Sequence, residues 1–277
     1  MIVKIFPMDI KKLAIRTISG IIYITIIVGS IILGINTIIV LGAILGILAV
    51  IEFRKNIDGI TMYSVPTLLL DIAGVVTLCL GFYGYPLMIW ALIILARFIE
   101  ELYLSSNNSI KSLSISILTQ VYIGLPLGFM VAIAEFFNPM LLLAVFIFIW
   151  INDTGAFLIG SLCGKHRLFE RISPKKSWEG FFGGMFFNVG FAILAYCTCS
   201  SFFGLPESLL LWLSLSVIVT IFSTWGDLVE SMIKRNLGIK DSGNLIPGHG
   251  GILDRIDSLL FVAPSVFIFL NAFYKFF

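Results

Sequence analysis

Residues 208–257 read SLLLWLSLSVIVTIFSTWGDLVESMIKRNLGIKDSGNLIPGHGGILDRID. Residues 208–228 are long and apolar enough to cross a bilayer, which takes about 20 mostly apolar residues. The stretch from Ser231 to Asp257 has the opposite character. It gathers Lys234, Arg235, Lys240, Asp241, His249, Asp254, Arg255 and Asp257 around a Pro-Gly-His-Gly-Gly turn, and from Ile256 the chain is apolar again. A span, a charged loop and a second span make a membrane protein. A chain this short of polar residues does not collect so many charges by drift, so the working site is expected here.

The rest of the 277 residues agrees: 59% are hydrophobic and 12% charged, against roughly a quarter charged in a soluble domain. The mean hydropathy is +1.06. A net charge of +2 says little about partners, and no nucleic acid is expected among them. With only His166 and His249, a His-rich metal site is excluded. Cys79, Cys163, Cys197 and Cys199 fall in or near apolar runs and read as small core residues, not as a disulfide or zinc framework. The apolar run after Arg16 flows into another without a small-residue cleavage site, so no cleavable signal peptide is expected.

Hydropathy predicts an all-α integral membrane protein with about nine transmembrane helices, at 17–34, 37–53, 65–83, 85–98, 115–134, 140–161, 181–203, 208–228 and 256–273. Gly34-Ile35-Asn36, Gly81 to Pro86, Asn138-Pro139 and Gly204-Leu205-Pro206 mark breaks. With nine spans, 17 of the 18 lysines and arginines fall on one side and only Lys275 opposite. The positive-inside rule makes that side the cytoplasm, with the N-terminus inside. Residues 1–140 form an N-terminal region of about five plain helices. Residues 141–277 form a C-terminal region of about four, carrying two polar cytoplasmic loops, 164–180 and 233–255. The chemistry is expected in this second half.

Three constellations stand out. The first runs from Asn152-Asp153 through Ser173-Pro174-Lys175-Lys176-Ser177-Trp178-Glu179-Gly180. An unpaired carboxylate such as Asp153 within a span is expensive and usually functional. The paired lysines could anchor anionic headgroups, but their Ser-Pro and Ser-x-Glu-Gly flanks favour a polyphosphate role. Gly160 to His166 resembles a P-loop only faintly, one residue short and with His166 in place of Ser or Thr, and is rejected. The second constellation is Asp227, Glu230, Ser231 and Lys234, one face of a helix by spacing. An ion-pair network is the plainer alternative, but a functional face at the cytoplasmic end of the eighth span is the favoured reading.

The third is the glycine turn followed by Asp254 and Asp257. Gly248, Gly250 and Gly251 let backbone approach a phosphate, and the helix that follows offers N–H groups and a positive dipole end. Asp254 and Asp257 with Asp227 form a three-carboxylate cup. Oxygen ligands without His or Cys suit Mg²⁺, and nearby cations suit phosphoryl or nucleotidyl transfer. Asp71, Glu52 and Arg97 are left over: Asp71 has no evident partner, and the other two read as interfacial or helix-pairing.

The run Ser231-x-x-Lys234-Arg235-x4-Lys240-Asp241-Ser242-Gly243, with Pro247-Gly248-His249-Gly250-Gly251-x-x-Asp254-Arg255-x-Asp257, resembles the signature of phosphatidate cytidylyltransferases, also called CDP-diacylglycerol synthases. The resemblance extends over about residues 150–265. It implies reaction of CTP with phosphatidate at the cytoplasmic face of an inner or plasma membrane, giving CDP-diacylglycerol and pyrophosphate, with Mg²⁺ and with K⁺ as a candidate second cation. It also implies a multi-spanning, often homodimeric protein with a polar cavity open to cytosol and laterally to lipid. On this reading Asp227, Asp254 and Asp257 hold metal. Lys175, Lys176, Lys234, Arg235, Lys240 and Arg255 hold phosphates, and His249 with its glycines forms a phosphate-binding turn. Asp153 binds nucleotide or a second cation, and Ser177, Glu179, Glu230 and Ser231 complete the substrate-binding set. Two rivals are weighed: a CTP-dependent lipid-alcohol kinase, which would release CDP, and a transporter. Transporter sites lie at the midplane, whereas these charges crowd at helix ends.

Overall fold

The computed structural model describes residues 10–57, 64–81, 84–104, 108–205, 208–248 and 250–276, with side chains described from 14 to 275. Among these residues a helix stands at each of the nine expected places. They are α1 (Ile10–Leu33), α2 (Ile35–Ile57), α3 (Val65–Leu80), α4 (Tyr85–Tyr103), the continuous rod α5–α6 (Ser109–Thr119 and Leu125–Phe136), α7 (Pro139–Cys163), α8 (Trp178–Cys199), α9 (Leu209–Asn236) and α10 (Leu253–Phe276). Seven are long and apolar enough to cross a membrane. Of the other two, α3 has only 16 residues, and α4 carries Arg97, Glu100 and Glu101 in its last two turns.

Apolar side chains cover the outside as well as the core. Ile18, Ile21 and Ile22 of α1 and Leu92, Leu95 and Phe98 of α4 point outward, an arrangement suited to lipid and not to water. The interior is densest along α6 and the turn before it, where Ile123, Leu127, Met130 and Ile133 are fully enclosed. Small residues let neighbouring helices touch. A Cβ on Gly46 of α2 would strike Val75 of α3, and one on Gly74 would strike Gln120. Pro126 removes a ladder donor, and the rod takes up a π turn at Gln120–Gly124, a common accommodation. Of the four cysteines only Cys79 is buried; Cys163, Cys197 and Cys199 are exposed on helix surfaces, contrary to the expectation of core positions.

Two of the leftover charges, Asp71 and Arg97, find partners within the first half. Arg54 of α2 pairs with Asp71 of α3 through Nη2, and its Nε lies 2.7 Å from the same carboxylate oxygen. Arg97 of α4 binds Glu101 at 2.7 Å and the hydroxyls of Ser112 and Ser116 on α5. The Arg54 guanidinium also reaches Ser116. A buried charge persists only when paired and hydrogen-bonded, and this network fixes the rotation of α2 within the bundle.

The one departure from helix within the expected loop 164–180 is a hairpin of β1 (Arg167–Phe169) and β2 (Ser173–Ser177), antiparallel with Arg167 opposite Ser177. Glu179 holds its base, accepting the backbone N–H groups of Lys165 and His166 and lying 2.6 Å from His166 Nδ1. Ser177 caps α8 by accepting from Gly180 N at 3.1 Å.

Candidate active site

Helix α9 presents the face expected of it. Ser231 Oγ donates to Asp227 Oδ1 at 3.3 Å, and Lys234 Nζ binds Glu230 Oε2 at 2.6 Å. Helix α10 crosses α9 at Gly226, where a Cβ would collide with the Asp257 carbonyl. That close approach brings Asp227 and Asp257 to the same cavity.

This cavity, about 690 Å³, opens between the hairpin and the ends of α7, α9 and α10. Arg167, Lys175 and Lys176 come from the hairpin and Arg255 from α10, facing the carboxylates of Asp153, Asp227 and Asp257. Lys176 Nζ lies 2.7 Å from Asp227 Oδ2 and 3.3 Å from the Thr224 carbonyl. A second cavity, about 230 Å³, lies between α1, α7 and α10, with walls that include Tyr23, Ile24, Phe146 and Trp150. The two share Asp153, Asp254, Arg255, Asp257 and Ser258. Such a junction can bring two anionic groups together at Arg255, with the hairpin cations on the side of the larger cavity and carboxylates to take a metal.

Asp254 is already committed within the protein. Its Oδ1 accepts from Lys234 Nζ at 2.6 Å, and its Oδ2 from the N–H groups of Ser242 and Gly251 at 2.9 and 2.8 Å. Glu52 of α2 takes the next donors: Ile252 N at 2.9 Å, Leu253 N at 3.0 Å and the Ser242 hydroxyl. Asp254 N donates to Ser242 Oγ at 3.3 Å. The N–H groups at the start of α10, expected to be free for a phosphate, are therefore occupied internally. The physical reason is the orphan donors and positive dipole of a helix N-terminus, which two of the protein's own carboxylates satisfy.

The preceding turn closes through Ile246 N and the Gly250 carbonyl at 3.0 Å, with Gly248 and Gly250 at φ +76° and +85°, a region that favours glycine. His249 lies outside the described residues. Helix α1 straps the turn. Arg16 Nε donates to the Gly248 carbonyl at 2.9 Å, Ser19 Oγ to that of Pro247 at 3.1 Å, and Tyr23 to that of Arg255 at 3.1 Å. Arg235 and Lys240 are exposed and lie outside both cavity linings. Glu230 is buried against Lys234.

Arg167, Ser223, Thr224 and Ser258 line the larger cavity without having been singled out from the sequence. For Ser223 and Thr224 a signal existed, since they precede Asp227 by four and three residues on one helix face. For Arg167 there was none short of the hairpin. Among the described residues, no group of three or more His, Cys, Asp or Glu side chains closes around a cation position. One or two carboxylates with substrate phosphates and water are nevertheless the usual Mg²⁺ environment, and Asp227 and Asp257 fit that pattern.

A helical membrane bundle with a basic, carboxylate-floored cavity at one end defines a membrane-embedded enzyme class working on phosphate-bearing substrates. The chain belongs to the cytidylyltransferase family, whose model matches residues 14–273. It is 33% identical over 264 residues to a Staphylococcus haemolyticus protein named phosphatidate cytidylyltransferase, covering 92% of this chain and 98% of that one. Proteins of the same name from Staphylococcus epidermidis and Staphylococcus aureus are 33% and 32% identical over 262 and 263 residues, with the same coverage.

Proposed function

We propose that the protein transfers the cytidylyl group of CTP to the phosphate of phosphatidate, giving CDP-diacylglycerol and pyrophosphate for phospholipid synthesis. The observation that carries this reading is the meeting of two unlike cavities at Asp153, Asp254, Arg255 and Asp257. The larger is basic and suits a triphosphate. The smaller, walled by apolar side chains of α1 and α7, suits a lipid whose phosphate reaches the shared cluster.

A phosphatidate oxygen attacks the α-phosphorus of CTP, forming one P–O bond. The bond to the bridging oxygen breaks, and pyrophosphate leaves with the electron pair. The attacking phosphate is already anionic at neutral pH, so a strong base is not required. The protein instead offsets repulsion between two polyanions and holds them in line. Arg167, Lys175 and Lys176 grip the nucleotide phosphates, and Arg255 sits where both substrates meet. Mg²⁺, when bound, would draw charge from phosphate oxygens. Asp227 and Asp257 would hold it, and Asp254 would join only by releasing Lys234 or a loop N–H. Asp153 is the proposed contact for nucleotide or for K⁺ as a second cation. The site is assigned to the cytoplasmic face, N-terminus inside, on the distribution of cations; the homodimer rests on family resemblance.

The test is purified protein in detergent with phosphatidate, radiolabelled CTP and Mg²⁺. Label entering the lipid with stoichiometric pyrophosphate, lost on chelation with EDTA and restored by Mg²⁺, is the expected result. CDP release without lipid-bound cytidine would point to the kinase.

A further inference from the structure

Glu52 belongs to the half of the chain whose sequence carries no chemistry, yet its carboxylate sits inside the signature loop. It accepts from Ile252 N at 2.9 Å, from Leu253 N at 3.0 Å and from the Ser242 hydroxyl. One turn along α2, Asn56 Nδ2 donates to the Ser242 carbonyl at 2.6 Å. The loop has been shaped to admit this side chain. A Cβ on Gly243 would come closest to Glu52, colliding with its carboxylate, and one on Gly251 would strike Glu52 and the Ser242 hydroxyl. Two residues along α2, on the other side of the helix, the Arg54–Asp71 pair holds α2 in register.

We propose that Glu52 is a positioning residue for the transfer reaction. Its carboxylate aligns the first turn of α10, so that Arg255 and Asp257, two and four residues past the last N–H it binds, face the junction of the two cavities. Ser242 completes the clamp: its hydroxyl donates to Glu52 and accepts from Asp254 N, so the loop is held between two carboxylates. The inference rests on the cytidylyl-transfer reading. On that reading the nucleotide is gripped by Arg167, Lys175 and Lys176 on the hairpin, which shares no extensive packing with α2. Disturbing Glu52 therefore affects the chemical step more than CTP binding.

The experiment compares wild type, Glu52→Gln, Glu52→Asp, Gly243→Ala and the double variant Glu52→Asp/Gly243→Ala as full chains in detergent. Active-site concentration is taken from CTP-binding stoichiometry, so that loss of folded protein does not register as loss of rate. Glu52→Gln is expected to lower kcat per binding site about tenfold to hundredfold, the scale of a small misplacement, with the Kd for CTP little changed. Gly243→Ala should be impaired, and shortening Glu52 to Asp should restore part of its rate by making room for the added methyl. That reciprocal rescue is a coupling that two independent structural losses would not give. A wild-type kcat per binding site in Glu52→Gln, or a double variant no better than Gly243→Ala, would overturn the positioning role. A wild-type protein that forms no cytidylylated lipid would overturn the reaction itself.

Discussion

Lys176 Nζ lies 2.7 Å from Asp227 Oδ2, joining the hairpin to α9 across the mouth of the larger cavity. Both side chains are partly open to solvent, and such a pair adds little to stability. On the proposed reading its value is positional: it would hold a cation for phosphate beside a carboxylate for metal. Lys176→Ala is expected to lower kcat/KM for CTP about tenfold to hundredfold, the loss of one hydrogen bond to a charged group. The melting temperature in detergent should barely move. Steady-state kinetics beside a thermal melt check both halves of the statement.

Asp254→Asn should abolish turnover while the protein still inserts. The structure adds a second consequence. An amide group turns one acceptor into a donor, facing either Lys234 or the N–H groups of Ser242 and Gly251. A buried donor left unsatisfied costs about 1–3 kcal/mol, so the melting temperature should fall as well. Near-normal activity would remove Asp254 from the site.

The Arg54–Asp71 pair predicts an asymmetry between single and double substitutions. Removing one partner strands a buried charge, at roughly 3–5 kcal/mol, whereas apolar replacement of both is often near neutral. Asp71→Leu should destabilise the protein in detergent more than Arg54→Met/Asp71→Leu does. Equal melting temperatures would show that the pair is not coupled.

Native cysteines report orientation. Cys163 ends α7 beside the hairpin, and Cys197 and Cys199 end α8 at the far side of the bundle, all three exposed. In single-cysteine variants, a membrane-impermeant maleimide should label Cys163 from the cytoplasmic side and Cys199 from the opposite side. Labelling both from one side would refute the proposed topology.

The helical architecture was legible because a bilayer demands apolar runs of fixed length, and hydropathy registers them directly. The face of α9 was legible because helical spacing alone puts Asp227, Glu230, Ser231 and Lys234 together. Glu52 was not, since nothing periodic connects α2 to a loop 200 residues later. Asp71 had no visible partner for a related reason: Arg54 sits at the end of the preceding span, where it counts simply as one more cation on the positive side. The glycine turn was read as an open anion cradle; glycines mark close approach, but the groups approaching Gly250 and Gly251 are the protein's own carboxylates, Asp254 and Glu52.

The clamp also orders events during synthesis. Glu52 is translated 200 residues before the N–H groups it will bind, an interval of about 10–40 s at roughly 5–20 residues per second. Through that time α2 is already in the membrane while the loop it will secure does not exist. Only when α10 enters do Ser242, Ile252 and Leu253 reach Glu52, so a nascent chain with most of its spans inserted is still without a formed site. The clamp therefore cannot form before residues 242–253 have been made.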